Sequence, residues 1–287
     1  MPHHRVILDT DIGDDIDDAF ALALLLRSPE IELLGVVTVM GDVADRVSLA
    51  AELCAAAGRA PEIVRGCSGT LTVRRNKSAP RHLLYRASSA YREGDDDPDA
   101  FLQIHRAADD SLPIAIGPLT NVAMTLTFYG NRRPRRMILM GGEFQRENFV
   151  EHNIRCDPEA AHLVFSSGIR IDVIPWSIGP ATKLEESDLR RLFQSEDQLV
   201  VQLVKYLRVF WQTVPAKTNM YDPMTVVALL RPELFVWRTG RVTVELRDEK
   251  LYGLTRFTPD EAGPHRVAFG VDAAAAKKFM LDRLLHE

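Results

Sequence analysis

Short apolar segments with strong β character alternate with helical segments along much of this chain, and this alternation is the feature that most limits its fold. The apolar runs cover residues 5–8, 33–39, 112–116, 137–140 and 169–174. Continuous apolar runs of this length are typical of strands buried on both faces of a parallel sheet. Helical patterns lie between them, at residues 19–26, 45–57 and 157–165. The alternation predicts a doubly wound α/β fold, in which helices flank an open, mostly parallel sheet.

The composition excludes several classes of protein. Hydrophobic residues make up 46% of the 287 positions and charged residues 26%, so the chain can bury a substantial core and is neither disordered nor fibrous. A formal net charge of -5 argues against a nucleic acid or an anionic membrane as the main partner and leaves a small polar ligand open. Three widely spaced cysteines indicate a reducing cytoplasm. We expect neither a signal peptide nor a membrane span.

We expect residues 1–287 to form a single domain with one long excursion from the sheet. In residues 70–110, charged residues and helix breakers replace the periodic pattern, which predicts an active-site loop or lid. A solvated insertion without a function would have the same composition. Residues 185–212 are strongly helical.

Six aspartates follow the first predicted strand within ten residues: Asp9, Asp11, Asp14, Asp15, Asp17 and Asp18. Carboxylates this close repel one another unless they are solvated, protonated or bound to a cation, and their oxygens favour Ca²⁺ or Mg²⁺. Ligands of open α/β sheets bind beyond the carboxyl ends of the strands, where this cluster should lie. A solvated acidic turn explains Asp14 and Asp15, but it does not explain Asp9 and Asp11 at the end of a buried strand.

Four sequence blocks resemble those of the inosine/uridine-type nucleoside hydrolases. Residues 9–22, DTDIGDDIDDAFAL, are similar to the family's DxDPGxDDAxA signature, with Ile12 in place of proline and two residues inserted before Asp17 and Asp18. Residues 117–123, GPLTNVA, resemble the GPLTNxA turn. Residues 141–161 resemble the GG…EfNi..DPEAA block, and residues 219–223, NMYDP, resemble the HDP segment. The resemblance implies the Rossmann-like nucleoside hydrolase fold over nearly the whole chain.

The resemblance also implies a calcium centre. Its ligands would be Asp11, Asp18, Asp222 and a main-chain carbonyl at Leu119 or Thr120. The cation would hold a water molecule and lower its pKa, and Asp11 would take its proton as general base. Asp9 would support this shell through hydrogen bonds.

The same resemblance assigns the ribose hydroxyls to Asp17, Glu151 and Asn153. Residues 39–42 stand where the family has Val-Ala-Gly-Asn, so Asp42 either contacts the substrate or caps the following helix. Asp157, before a proline, is expected to cap a helix.

The leaving-base side departs from the family pattern. Tyr221 replaces the histidine that many members use as the acid for the leaving base, and it is either that acid or a packing residue. His82 stands without the glycines of the family's HGxxG-like loop. His152 and His265 are alternative acids. Aromatic residues that could stack on the base or belong to the core are Phe144, Trp176 and Trp211.

The implied function is Ca²⁺-dependent hydrolysis of ribonucleosides to ribose and free base, as in purine or pyrimidine salvage. Members are commonly homodimers or homotetramers, with a ribonucleoside or ribosyl compound as the small-molecule partner. One alternative is a non-catalytic nucleoside-binding relative. The presence of Tyr221 in place of histidine and the altered loops support this alternative. Another is a phosphatase of the haloacid-dehalogenase type, because Asp9-Thr10-Asp11 follows a strand, but the downstream motifs of that class are missing.

Overall fold

A computed structural model describes residues 4–72, 110–129 and 133–286. The strands in the described residues are β1 (His4–Thr10), β2 (Ile31–Thr38), β3 (Glu62–Arg65), β4 (Leu112–Ala115), β5 (Arg136–Met140), β6 (Arg170–Ile174), β7 (Phe235–Val244), β8 (Thr255–Pro259) and β9 (His265–Val271). The α-helices are α1 (Asp17–Arg27), α2 (Val43–Ala56), α3 (Thr120–Tyr129), α4 (His152–Cys156), α5 (Pro158–Ser166), α6 (Glu186–Gln194), α7 (Gln198–Thr213), α8 (Pro223–Leu230) and α9 (Ala273–Leu285). Two 3₁₀ turns lie at Trp176–Ile178 and Pro232–Leu234.

All the strands of this described part belong to one sheet, in the order β3-β2-β1-β4-β5-β6-β9-β7-β8. The pairs from β3 to β6 are parallel, and β9 also pairs with β6 in parallel. Strand β7 is antiparallel to β8 and β9. The prediction of an α/β fold with a mostly parallel sheet is therefore confirmed. The strand order reverses between β1 and β4, and this reversal opens a crevice at their carboxyl ends.

The core has a layer on each face of the sheet. In β1, Leu8 belongs to the larger hydrophobic cluster and Ile7 to the other, because successive strand residues point to opposite faces. Helix α1 is buried on every side from its first turn to Leu26, as its unbroken apolar sequence predicts. Because α1 is packed on all sides, its acidic first turn is held in a fixed position at the crevice.

The structure divides one predicted helical segment in two, and most of the predicted lid lies outside the described residues. The helical stretch of residues 185–212 is two helices, because Asp197 accepts the N–H groups of Leu199 and Val200 and begins α7. Of the expected lid, residues 73–109 lie outside the described residues, and His82 lies there too. None of the helices in the described ranges has the combined length and apolar character that a membrane span requires.

Candidate active site

The acidic residues come together at the carboxyl end of β1. Asp11 follows this strand directly, and Asp17 and Asp18 form the first turn of α1. Asp222 reaches the same place from the start of α8. All four are buried, with exposed fractions of 2–4%. Carboxylates at the positive ends of two helices are favourably placed electrostatically.

Asp222 differs from Asp157 although both precede a proline that begins a helix. Asp157 accepts the Ala160 N–H at 3.1 Å and is therefore the expected helix cap. The Asp222 side chain makes no capping hydrogen bond within the described residues. Its carboxylate is turned instead toward Asp17 and Asp18, with ligand oxygens of the three residues within 4.8 Å of one another.

Hydrogen bonds fix the two carboxylates of α1. Asp17 Oδ2 accepts the backbone N–H groups of Tyr221 at 2.9 Å and Asp222 at 3.1 Å. Asp18 Oδ1 accepts the Thr10 hydroxyl at 2.5 Å. The close approach of another strand end completes this packing, because a Cβ atom on Gly117 would lie 2.9 Å from Asp11 Oδ1.

Burial and mutual repulsion raise the pKa of each of these carboxyls. The pKa of Asp11 rises to about 7, first through burial and then through Asp14, with Arg46 acting in the opposite direction. The pKa of Asp17 rises to about 7 through burial and then through Asp15, opposed by Lys217. For Asp18 and Asp222 the pKa is raised well above its ordinary value, mainly by burial, and Asp11 contributes to both shifts. The four carboxyls therefore interact as one electrostatic site.

Two cations contact the acidic turn between Asp11 and Asp17. Arg46 is fully buried and donates to the carbonyl oxygens of Asp11, Ile12 and Met40 and to the Asp14 carboxylate, the last at 3.1 Å. Lys217 pairs with Asp15. Sequence reasoning missed both cations, since neither belongs to a recognisable motif.

Asp9 lies one layer behind this cluster. Its Oδ1 accepts a hydrogen bond from Asn121 at 3.3 Å, while none of the described residues hydrogen-bonds its buried Oδ2. Asn121 also donates to the Thr38 carbonyl and accepts the Cys67 N–H. Through Asn121 of α3, Asp9 is therefore connected to the end of β2 and to the segment at Cys67.

The segment after β5 supplies Glu151 and Asn153, which are 2% and 6% exposed. Glu151 caps α4 through the N–H groups of Asn153 and Ile154, and it also accepts the Gly142 N–H. Asn153 Nδ2 donates to the Ile116 carbonyl at 2.8 Å, which leaves the amide oxygen as the acceptor. Burial raises the pKa of Glu151, and its backbone hydrogen bonds oppose that change.

Aromatic residues line the same cavity as the carboxylates, and we define Phe149, Trp176 and Tyr221 as its aromatic wall. The Trp176 and Tyr221 rings are stacked with centroids 6.0 Å apart, and Phe149 lies 4.9 Å from Trp176. Tyr221 fits only because residue 179 is glycine, whose Cβ equivalent would lie 1.9 Å from the ring. Burial and nearby carboxylates raise the Tyr221 pKa above its ordinary value.

The cavity between the carboxylates and this wall has a volume of about 230 Å³. Its lining residues are Asp11, Asp14, Asp15, Asp17, Asp18, Ile116, Met140, Phe149, Val150, Glu151, His152, Asn153, Arg155, Trp176, Lys217, Tyr221 and Asp222. Most of the residues predicted from the sequence to bind metal or substrate are among them.

Asp42, Leu119 and Thr120 are not among the described residues that line the cavity. Asp42 is exposed and accepts the Asp45 N–H at 3.1 Å, so it is a helix cap, one of its two sequence interpretations. The Leu119 carbonyl accepts the Ala123 N–H at the start of α3, and the Thr120 hydroxyl donates to Asp157.

Two of the three predicted aromatic residues also lie away from the wall. Phe144 packs against Phe257, and Trp211 packs against Phe193. Phe149 takes their place, and no signal in the sequence distinguished it.

The donor set fits a hard divalent cation. Within the described residues, two groups of buried or half-buried side chains could hold one, namely Asp17, Asp18 and Asp222, and Asp11, Asp14 and His152. The first group consists of carboxylates only, and oxygen donors are those that Ca²⁺ and Mg²⁺ prefer. A bound cation would also relieve the repulsion that raises the pKa values of these groups.

The chain matches the model of the inosine-uridine preferring nucleoside hydrolase family over residues 6–278. Uridine nucleosidase 1 of Arabidopsis thaliana is 30% identical over 275 residues, which cover 85% of this chain and 79% of that protein. The non-specific ribonucleoside hydrolase RihC of Salmonella enteritidis is 31% identical over 276 residues, covering 88% and 86% of the two chains.

Solved structures agree with this result. A plant nucleoside hydrolase, PpNRh1, superposes with a TM-score of 0.80 over the whole length of both chains at 26% identity. An inosine-guanosine nucleoside hydrolase has the same fold, with a TM-score of 0.83 over 99% of both chains at 20% identity. The chain belongs to the inosine-uridine preferring nucleoside hydrolase family, whose enzymes act on N-glycosidic bonds.

Proposed function

We propose that this chain hydrolyses the N-glycosidic bond of ribonucleosides, releasing ribose and free base, in a reaction that depends on Ca²⁺. The observation that carries the proposal is that Asp11, Asp17, Asp18 and Asp222 line one cavity together with the aromatic wall. Such a cavity offers a polar end to a sugar and an apolar end to a planar base.

Asp11, Asp18 and Asp222, with a main-chain carbonyl at Leu119 or Thr120, would hold the cation. Asp18 and Asp222 belong to one of the two groups that could bind it and Asp11 to the other, so this assignment takes ligands from both groups and leaves Asp17 for the substrate. When bound, the cation supplies a Lewis acid that lowers the pKa of a water molecule. Asp11 takes a proton from the water that attacks C1′, and its Gly117 and Arg46 neighbours keep it at the floor of the cavity. Asp9 supports this arrangement from behind through Asn121.

Asp17, Glu151 and Asn153 bind the ribose hydroxyls. Each is held by hydrogen bonds to the protein backbone, so each presents its remaining acceptor in a fixed direction. Acceptors fixed in this way favour a ribose over a deoxyribose, because a missing hydroxyl leaves a buried acceptor unpaired.

The base lies against the aromatic wall. Trp176 and Tyr221 present stacked rings, and stacking on such rings stabilises a planar base in the ground state and as it departs. Tyr221 is part of this wall, and it also occupies the position at which many family members carry the acid that protonates the leaving base.

Release of free base from a panel of purine and pyrimidine ribonucleosides, followed by chromatography, tests the proposal. We expect release that a chelator abolishes and that added Ca²⁺ restores, with the matched 2′-deoxyribonucleosides hydrolysed at least tenfold more slowly. Release that is unchanged after complete removal of divalent cations would contradict the metal assignment. Calcium binding without release from any nucleoside would favour a nucleoside-binding relative instead.

A further inference from the structure

Lys217 brings a positive charge to the mouth of the cavity. It lies between α7 and α8, four residues before Tyr221, and lines the cavity together with that tyrosine. Its ammonium nitrogen is 5.9 Å from the centroid of the Tyr221 ring and pairs with Asp15. The side chains of Lys217 and Asp15 are 32% and 24% exposed, so the pair borders the cavity and is also accessible to a ligand.

The other cationic residues near the cavity have different surroundings. Arg46 is fully buried, and its donors are used on three carbonyl oxygens and Asp14. Arg155 contacts His152 at 3.1 Å, on the side of Asp11 and Asp14. Arg146 lies over the aromatic wall, 4.8 Å from the Trp176 ring centroid and 5.1 Å from that of Phe149, but it is not among the described residues that line the cavity. Of the lining residues in the described part of the chain, Lys217 is the one that places an ammonium group beside this wall.

Breaking the C1′–N bond leaves the electron pair on the departing base, which then needs a hydrogen-bond donor or a positive charge. Tyr221 occupies the position of the family's histidine, and a phenol with an ordinary pKa of about 10 is a weaker acid than an imidazole. A lysine ammonium carries its charge at neutral pH and offers three donors, of which the carboxylate of Asp15 needs only one or two.

We propose that Lys217, held in place by Asp15, donates a hydrogen bond to the base as the C1′–N bond breaks. This inference rests on the proposed function. The electron pair of the broken bond moves to the base, and the ammonium hydrogen bond stabilises the resulting charge. After it leaves, the base takes a proton from water, and the proton that Asp11 took from the attacking water returns to the solvent and neutralises the hydroxide, so that the reaction balances. Lysine therefore needs no net change of protonation.

The inference also gives a role to part of the acidic turn. Two residues are inserted before the Asp17-Asp18 pair relative to the commoner family signature. Asp15 lies in this turn and, by pairing with Lys217, keeps the ammonium at the rim between the carboxylates and the aromatic wall. Asp15 is then a positioning residue, whereas Lys217 touches the substrate.

A comparison of two leaving groups tests the inference. Nucleosides have leaving bases that need stabilisation, whereas p-nitrophenyl β-D-ribofuranoside releases a phenolate that is stable without a donor. We expect Lys217→Met to lower kcat for the best nucleoside at least a hundredfold and to change kcat for the nitrophenyl riboside less than threefold. Lys217→Arg should retain more nucleoside activity than Lys217→Met, and Asp15→Asn should lose less than Lys217→Met with the same dependence on the leaving group.

Lys205→Met is the matched control, because Lys205 is an exposed lysine on α7. We expect this variant to keep both activities. Retained hydrolysis of the nitrophenyl riboside shows that the Lys217 variants are folded and bind ribose. Equal losses on both substrates, or no loss on either, would overturn the role of Lys217 while leaving the proposed function intact. A wild-type protein inactive on both substrates would instead overturn the proposed function, and this inference with it.

Discussion

Asp17 accepts the backbone N–H of Asp222 at 3.1 Å, which joins two residues that are 205 positions apart in the chain. The bond connects the first turn of α1 to the start of α8, and both helices are buried beside the crevice. It orients the Asp222 backbone while leaving the Asp222 carboxylate free of capping contacts within the described residues. A carboxylate far along the chain is thereby held next to those that follow β1.

Asp222→Asn should lower the affinity for Ca²⁺ at least tenfold. The amide keeps the shape of the side chain but removes one negative charge from the cluster of Asp17, Asp18 and Asp222, of which one oxygen each lies within 4.8 Å of the others. Calorimetric titration with Ca²⁺ measures the effect, and Asp18→Asn should behave alike. Asp248→Asn, in an exposed loop, is the control. Wild-type calcium binding in both site variants would refute the proposed ligand set.

Asp11→Asn should lower kcat by about 10²–10⁴, the range typical of a lost general base. The measurement is nucleoside hydrolysis at Ca²⁺ concentrations high enough to saturate the variant, so that weakened metal binding does not account for the loss. Thermal unfolding should show a folded protein, because the amide removes a repulsive charge from a buried carboxylate cluster. Turnover equal to that of the wild type would exclude Asp11 as the base.

The sequence predicted the central parallel strands better than the strands of residues 235–271. The runs before Asp11 and Gly117 are continuous and apolar, and they are central strands as expected. Strands β3, β7, β8 and β9 were not predicted. Strand β3 has four residues, and β7 alternates buried and exposed residues, so no continuous apolar run marks either of them. The side chains that face the core in such strands are determined by packing against neighbouring strands, which an apolar run does not reveal.

The site residues divide in a similar way: those within sequence motifs were predicted, and those outside the motifs were not. Residues within the four motifs, such as Asp18 and Glu151, line the predicted cavity. Residues that act through charge pairing, Arg46 and Lys217, were invisible because their partners lie 32 and 202 positions away. Asp42 was ambiguous in the sequence, since the same carboxylate suits a helix cap and a substrate contact. In the structure Asp42 caps the following helix, and its contact with the substrate stays a prediction.

Arg46→Met should destabilise the fold by about 3–5 kcal/mol, because it leaves the buried Asp14 carboxylate without its cation. Adding Asp14→Asn should recover part of this loss. Recovery should be incomplete, since Arg46 also donates to three backbone carbonyl groups. Urea unfolding of the two single variants and the double variant measures the coupling, with the exposed Arg59→Met as control. Additive effects of the two changes would contradict the pairing.

We expect His265 to make the fold sensitive to mild acid. The residue is 2% exposed at the start of β9, and its Nδ1 accepts the Val242 N–H at 2.8 Å. Burial, with a smaller contribution from Arg241, lowers the pKa of His265 to about 4, and its ring also packs edge-on against Phe165. Protonation at Nδ1 would break the bond to Val242 and bury a positive charge near an arginine.

The direction of the pH dependence follows from linkage. Between pH 6.5 and pH 4 the unfolded chain binds a proton at His265 that the folded chain does not, so this residue's contribution to stability is complete above pH 6.5 and declines as the pH falls toward 4. We expect the melting temperature to fall between pH 7.5 and pH 5, and His265→Asn to reduce that fall, because asparagine keeps an acceptor for Val242 but does not titrate. An equal fall in both proteins would show that other groups cause the acid sensitivity. Nucleoside hydrolysis at pH 7.5 should survive in this variant, since His265 is not among the residues that line the cavity in the described part of the chain.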